Sequence, residues 1–180
     1  AANYLLYNKS VKKILIIDLD VHQGNGTASI FKKNPNVFTL SFHGEKNYPF
    51  RKENSDLDLG LDDNTNDDYY LKKLKVILPK VIDDFQPEFI FYLAGVDVLE
   101  NDKLGRLSMT INGCLRRDQY VLETCKKNKI PVQVSMGGGY SINIEEIIEA
   151  HSNTFRLAQE IYFWKIKIYK PLFYSINPSI

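Results

Sequence analysis

Two cysteines and three histidines are all that 180 residues offer of the side chains best suited to cross-links and soft metal ligation. Cys114 and Cys125 fall eleven positions apart in a segment that reads as helix. That spacing sets them on roughly one face but about three turns apart, too far for a disulfide. They read instead as small buried hydrophobes in a reducing compartment. No apolar run approaches the ~20 residues that span a bilayer. Ala1–Lys13 has no charged segment leading into an apolar one, so a secretory signal is not expected and the location reads as intracellular, cytoplasmic or nuclear. A starting methionine is also missing, which points to a chain cut, processed or incompletely supplied at its N-terminus. Charge of one sign is lacking too, with 23 basic against 22 acidic residues and no Lys/Arg block. That argues against nucleic acid as the primary partner, because neutralising phosphates needs a basic surface. Internal repeats and low-complexity tracts are absent. What is present is a 44% hydrophobic composition, enough for the core of about one domain.

The apolar residues are organised. Ile14–Ile17, Val37–Leu40, Phe89–Leu93 and Val132–Val134 are short β-branched or aromatic runs without clean alternation, as expected of parallel strands buried on both faces. Leu71, Leu74, Leu78, Val81, Ile82 and Phe85 recur at helical spacing behind the capping and acidic residues Asn66–Asp68. Pro79 predicts a kink or break near Leu78. Leu115, Leu122 and Cys125 mark a shorter helix that stops before Ile130–Pro131, and Ile144 through Ile161 mark another. Tyr48–Asn64 reads as an ordered surface loop ending in a short strand at Ser55–Gly60. Alternating strands and helices define an α/β class. Residues 1–162 are expected to form the domain and 163–180 a tail of unclear structure, where Trp164, Ile166 and Ile168 alternate as an edge strand would.

Each strand candidate runs at its carboxyl end into residues with chemistry: Asp18-Leu19-Asp20-Val21-His22, Ser41-Phe42-His43-Gly44, Gly95-Val96-Asp97 and Gly137-Gly138-Gly139-Tyr140. In open parallel sheets those ends form the ligand crevice, so the polar residues are expected to converge. Asp18, Asp20 and His22 share one face of extended chain. Carboxylates with an imidazole suit zinc, iron or manganese, and Asp97 is the natural third ligand for an open catalytic site. The glycines allow close backbone approach, and Tyr140 after them could aim its hydroxyl at an oxygen beside the metal. No dinucleotide fingerprint is present. His43 and His151 read as structural histidines, and Lys46, Arg51 and Lys52 as a solvated loop face.

These motifs resemble the class IV branch of the histone deacetylase family. The resemblance is carried by Ile16–Thr27, Ser41–Phe50, Tyr92–Asp97, Gly105-Arg106-Leu107 and Met136–Tyr140, and runs from about Ala1 to about Ala158. It implies a three-layer α/β/α fold of the arginase/deacetylase type with a mainly parallel sheet, incomplete at the N-terminus, and hydrolysis of acyl-lysine amides. It further implies one catalytic Zn2+ held by Asp20, His22 and Asp97, and a structural K+ held by Asp18, Asp20, His22, Ser41 and Phe42. Tyr140 would donate to the transition state, while Phe50, Leu104 and Gly138 would line the acyl channel. The implied substrate is an acylated lysine peptide or polyamine.

One departure stands out. The family places a His-His pair upstream of the Asp-x-Asp-x-His strand for proton transfer, and this sequence has no histidine before His22 and no adjacent pair. Because such general acid–base work contributes ~10²–10⁴-fold, these residues alone are expected to be nearly inert. A catalytically dead metal- or acyl-peptide-binding remnant is the alternative. A haloacid dehalogenase-type phosphatase fits Ile14–Asp20, but His22 stands where it has Thr or Val, and Glu100–Asp102 is a poor magnesium pair. An arginase-like two-metal site would need further Asp and His ligands.

Overall fold

In the computed structural model, which describes residues 1–163, the elements follow as α1 (Ala2–Tyr7), β1 (Ile14–Asp18), α2 (Asn25–Phe31), β2 (Val37–Gly44), β3 (Leu57–Leu61), α3 (Asp67–Phe85), β4 (Phe89–Ala94), α4 (Ile111–Lys127), β5 (Val132–Met136) and α5 (Ile144–Phe163). The strands form one sheet in the order β3-β2-β1-β4-β5, and every neighbouring pair is parallel. Helices cover both faces, giving the three-layer α/β/α arrangement. The expected tail strand at Trp164–Ile168 lies outside the described residues.

The central strand explains the rest. All five residues of β1 are buried. Leu15 and Ile17 face a core shared with Leu74, Leu78 and Val81 of α3, Cys114, Val121 and Cys125 of α4, and Ala150 of α5. Ile14 and Ile16 face a smaller cluster with Ala2, Leu5 and Leu6 of α1, Phe31, and Phe89 and Phe91 of β4. Burying one such aliphatic side chain contributes ~1.5–3 kcal/mol, so β1 is held from both sides. Both cysteines are free and buried, as their spacing required.

Three features differ from the sequence expectation. α3 runs through Pro79 without the break that is one of the two outcomes expected there. Proline removes the hydrogen bond that the carbonyl four residues earlier would accept, and the Tyr120 hydroxyl of α4 lies 3.4 Å from that Lys75 carbonyl and supplies a long replacement. Second, β4 and β5 are not buried on both faces: Phe89, Phe91 and Leu93 of β4 are only partly covered, and β5, at the sheet edge, has no fully covered residue. Third, Lys52 is not a solvated charge. Its ammonium donates to the carbonyls of Glu45, Asn47 and Pro49 at 3.0, 2.6 and 2.7 Å, drawing the β2–β3 loop together, while Lys46 stays at the surface, 3.8 Å from Asp63.

Candidate metal centre

The register aligns Asp18 with Ser41 of β2 and Leu93 of β4, so the chain segments that leave these strands emerge side by side. Parallel pairing of Leu93 with Ser135 and Ala94 with Met136 brings the glycine segment to the same end. Asp20, His22 and Asp97 meet there, each offering a ligand atom within 4.8 Å of the others. His22 Nδ1 lies 3.2 Å from Asp20 Oδ1 and 3.0 Å from Asp97 Oδ2. Backbone donors hold both carboxylates: His22 N and Gly138 N donate to Asp20 at 2.9 and 2.7 Å, and Val21 N donates to Asp97 at 2.9 Å. Gly138 has to be glycine, because a Cβ there would collide with Asp97 Oδ2.

The charges at this end are out of balance. Burial, then the neighbouring Asp20 charge, pushes the Asp18 carboxyl up to about 8. Burial also pushes Asp97 upward, and the Asp20 charge adds to it against the His22 contact. Burial acts the same way on Asp20, but contacts with His22 and Gly138 outweigh it and hold this carboxyl low. The bonds to Asp20 and Asp97 raise His22 to about 10, against the effect of its own burial. Three carboxylates thus crowd one imidazole, and the cluster favours a cation between Asp20 and Asp97. The donor set of two carboxylates and an imidazole fits a divalent ion of the zinc kind with a coordination position left for another ligand. Asp18 lies behind this group, its Oδ1 accepting from Asp20 N at 3.1 Å.

The remaining sequence-predicted residues sit around this end without entering it. Ser41 and Phe42 are buried beside β1. Ser41 Oγ meets His43 Nδ1 at 3.0 Å, so His43 is a satisfied interior residue, and burial lowers its pKa. His151 is buried beneath the glycine segment, as expected of a core position. Tyr140 is half-exposed, its N–H donating to Asp102 Oδ2 at 2.6 Å. Asp102 Oδ1 also accepts from the Leu104 and Gly105 amides at 2.8 and 2.7 Å, tying the Tyr140 segment to the loop that carries Leu104. Asn47 Nδ2 donates to Leu104 O at 2.6 Å, linking that loop to the one bearing Phe50. Phe50 itself is 87% exposed and touches Tyr48 edge to face, so it lines no closed channel among the described residues.

Sequence reading missed Asp102 and the buried set Tyr92, Arg117, Asp118 and Thr154. A signal existed for Arg117: it shares the stripe of Cys114, Val121 and Cys125, an arginine where an apolar residue belongs.

With the fold and this cluster in hand, the comparisons agree. Residues 1–155 match the histone deacetylase domain, and the chain belongs to that family. Among its relatives, an uncharacterized protein of Picosynechococcus sp. is 47% identical over 151 residues, covering 84% of this chain and 50% of that protein. Histone deacetylase 2 of Arabidopsis thaliana is 33% identical over 141 residues, covering 77% of this chain and 36% of the relative. The crystal structure of the HDA15 HD domain superposes with a TM-score of 0.72 at 26% identity, over 87% of this chain and 48% of that one. An acetylpolyamine aminohydrolase from Burkholderia pseudomallei shares the fold, with a TM-score of 0.72 at 19% identity over 86% of this chain and 47% of that one. The chain therefore spans half or less of the length of these proteins. No described helix is long and apolar enough to cross a membrane.

Proposed function

We propose that this chain carries the metal-holding part of a zinc-dependent deacylase of the class IV type, acting on acyl-lysine amides in a peptide or on an acylated polyamine. The observation that carries this reading is the meeting of Asp20, His22 and Asp97 at the strand ends. A divalent ion there supplies Lewis acidity, polarising an acyl carbonyl and acidifying water. Asp20 and Asp97 hold their oxygens toward it through backbone donors, and Gly138 leaves room for the ion and the reacting amide. Tyr140 donates a hydrogen bond to the oxygen on which negative charge develops. Phe50 and Leu104, on loops joined through Asn47, flank the acyl chain. Asp18, Asp20, His22, Ser41 and the backbone of Phe42 would hold a structural potassium ion, which would offset the buried carboxylate charge. Residues 1–162 act as one unit in this reading.

Proton transfer to the leaving amine is assigned to groups outside residues 1–180, since His22, His43 and His151 are the only histidines and none is adjacent to another. That same observation favours a second reading, in which the chain binds metal or an acylated peptide without turnover. The test is to purify residues 1–180 and the entire gene product, measure bound metal, and assay both on acetyl-lysine and long-acyl-lysine peptides. We expect one zinc per chain in both, hydrolysis by the entire product alone, and loss of that hydrolysis in Tyr140→Phe. Failure of both proteins to retain zinc overturns the metal assignment. Equal turnover by residues 1–180 overturns the assignment of proton transfer. An entire product that holds zinc but hydrolyses no acyl-lysine peptide establishes the binding-only reading.

A further inference from the structure

Arg117 is the largest fully buried side chain among the described residues. Its guanidinium lies behind the metal cluster. Nε donates to Asp118 Oδ1 at 2.8 Å, and Nη1 donates to two backbone carbonyls, Leu19 O at 3.1 Å and Gly95 O at 2.8 Å. Asp118 is fixed in turn by the Tyr92 hydroxyl of β4 at 2.5 Å and by Thr154 Oγ1 of α5 at 2.6 Å.

The two carbonyls are informative. A buried ion pair kept only for stability needs its partner charge, and apolar side chains of similar volume often do that task as well or better. Arg117 reaches past Asp118 to the residues next to the ligands. Leu19 sits between Asp18 and Asp20, and Gly95 precedes Asp97 by two positions. A backbone bond from Leu19 N to Leu93 O, at 3.1 Å, joins β1 and β4 at this level. Just beyond it the guanidinium bridges the two chains from below. Gly95 packs so closely on Asp20 that a Cβ at Gly95 would overlap Asp20 Oδ2, so any shift of this backbone moves the wall against which that ligand rests. The planar fork of an arginine can serve the carboxylate and both carbonyls at once, which a lysine ammonium does less well.

We propose that Arg117, oriented by Asp118, is a positioning residue for the metal centre: it fixes the separation of the chain end carrying Asp20 and His22 from the chain end carrying Asp97. The role rests on the metal reading above, and its test is built so that the two fail separately. Arg117→Met, Arg117→Lys and a control, Val121→Ala, are made in the full chain. Val121 is fully buried on the same helix and absent from the hydrogen-bond set, so its truncation destabilises without touching the clamp. Zinc affinity is measured by competition with a chromophoric chelator. Amide hydrogen exchange is followed in the metal-free protein at Val21 and Gly138, whose N–H groups are held by Asp97 and Asp20.

Arg117→Met should weaken zinc binding by roughly tenfold or more, as loss of outer support typically does, and should speed exchange at Val21 and Gly138 beyond the change in global stability. Arg117→Lys should fall between it and the parent. Val121→Ala should leave affinity within about twofold and those two amides no faster than global opening dictates. Equal losses in Arg117→Met and Val121→Ala overturn the proposal, as does unchanged exchange at the two amides. Should Arg117→Met fail to fold, Asp118→Asn, which keeps Arg117 but weakens its anchor, is read by the same criteria. A parent that binds no zinc refutes the metal reading, while the exchange measurement still decides the clamp.

Discussion

Two polar clusters lie back to back at the ends of β1 and β4, separated by little more than the backbone of Leu19 and Gly95. The inner one, Arg117 with Asp118, Tyr92 and Thr154, pairs one cation with one carboxylate, and its hydrogen bonds run within the set and to the Leu19 and Gly95 carbonyls, leaving Arg117 Nη2 without a partner among the described residues. The outer one sets Asp18, Asp20 and Asp97 against a single imidazole. Both are polar groups taken largely out of water, which is costly unless the charges are met. The inner set meets them with protein groups and so reads as support. The outer set leaves its charge open, and an open charge at a ligand crevice is where chemistry is to be sought.

The sharpest way to break the comparison is to unbalance the inner cluster. Asp118→Ala leaves the Arg117 charge buried without its partner, and we expect about 3–5 kcal/mol of lost stability in urea unfolding. A loss no larger than that of an ordinary surface substitution would remove the distinction. In the outer cluster the sign should differ. Asp97→Asn should weaken zinc binding by roughly a hundredfold, about 2.7 kcal/mol, yet leave the metal-free melting temperature unchanged or higher, because one of three crowded carboxylates is gone. Thermal scans with and without metal check both halves.

Protons should compete with the ion. His22, raised to about 10, holds its proton at neutral pH, so a metal that takes Nδ1 must displace it. Affinity should then fall as pH falls, by about tenfold per unit around neutrality, with close to one proton released on binding in calorimetry across buffers of different ionisation enthalpy. A flat profile would mean that His22 is not a ligand. The smallest effect is expected at the rim: Phe50→Ala should shift stability by less than about 0.5 kcal/mol and leave zinc affinity alone, showing only in KM for acylated peptides.

How much of this was legible depended on how local the cause was. The strand cores of β1, β2 and β4 were readable because their apolar residues are contiguous and their carboxyl ends carry the polar ones. Asp20, His22 and Asp97 were readable as a group because parallel strands bring such ends together. α1 and α2, with 6 and 7 residues, are too short to show a helical period. The uninterrupted course of α3 was not readable, since the group that meets the Lys75 carbonyl is Tyr120, on another helix. Arg117 escaped for the same reason: its two carbonyl partners lie 98 and 22 positions away. Lys52 looked like a surface charge until three nearby carbonyls turned out to converge on it.

The connection from β2 to β3 joins neighbouring parallel strands without a helix, since β3 pairs only with Leu40–Gly44, the second half of β2. The chain therefore has to travel back only a few residues' length, ~3.3 Å each, from the crevice end at Gly44 to the level of Thr39, which bonds the Asp56 carboxylate. The shape of residues 45–56 is held by the Lys52 ammonium together with Gln23, whose side-chain amide bonds both ways with the Glu53 backbone, and with Thr39, which donates to the Asp56 carboxylate. Lengthening or trimming this stretch leaves the pairing of β1 with β2 and β4 untouched, so this loop can change while Asp20, His22 and Asp97 keep their places.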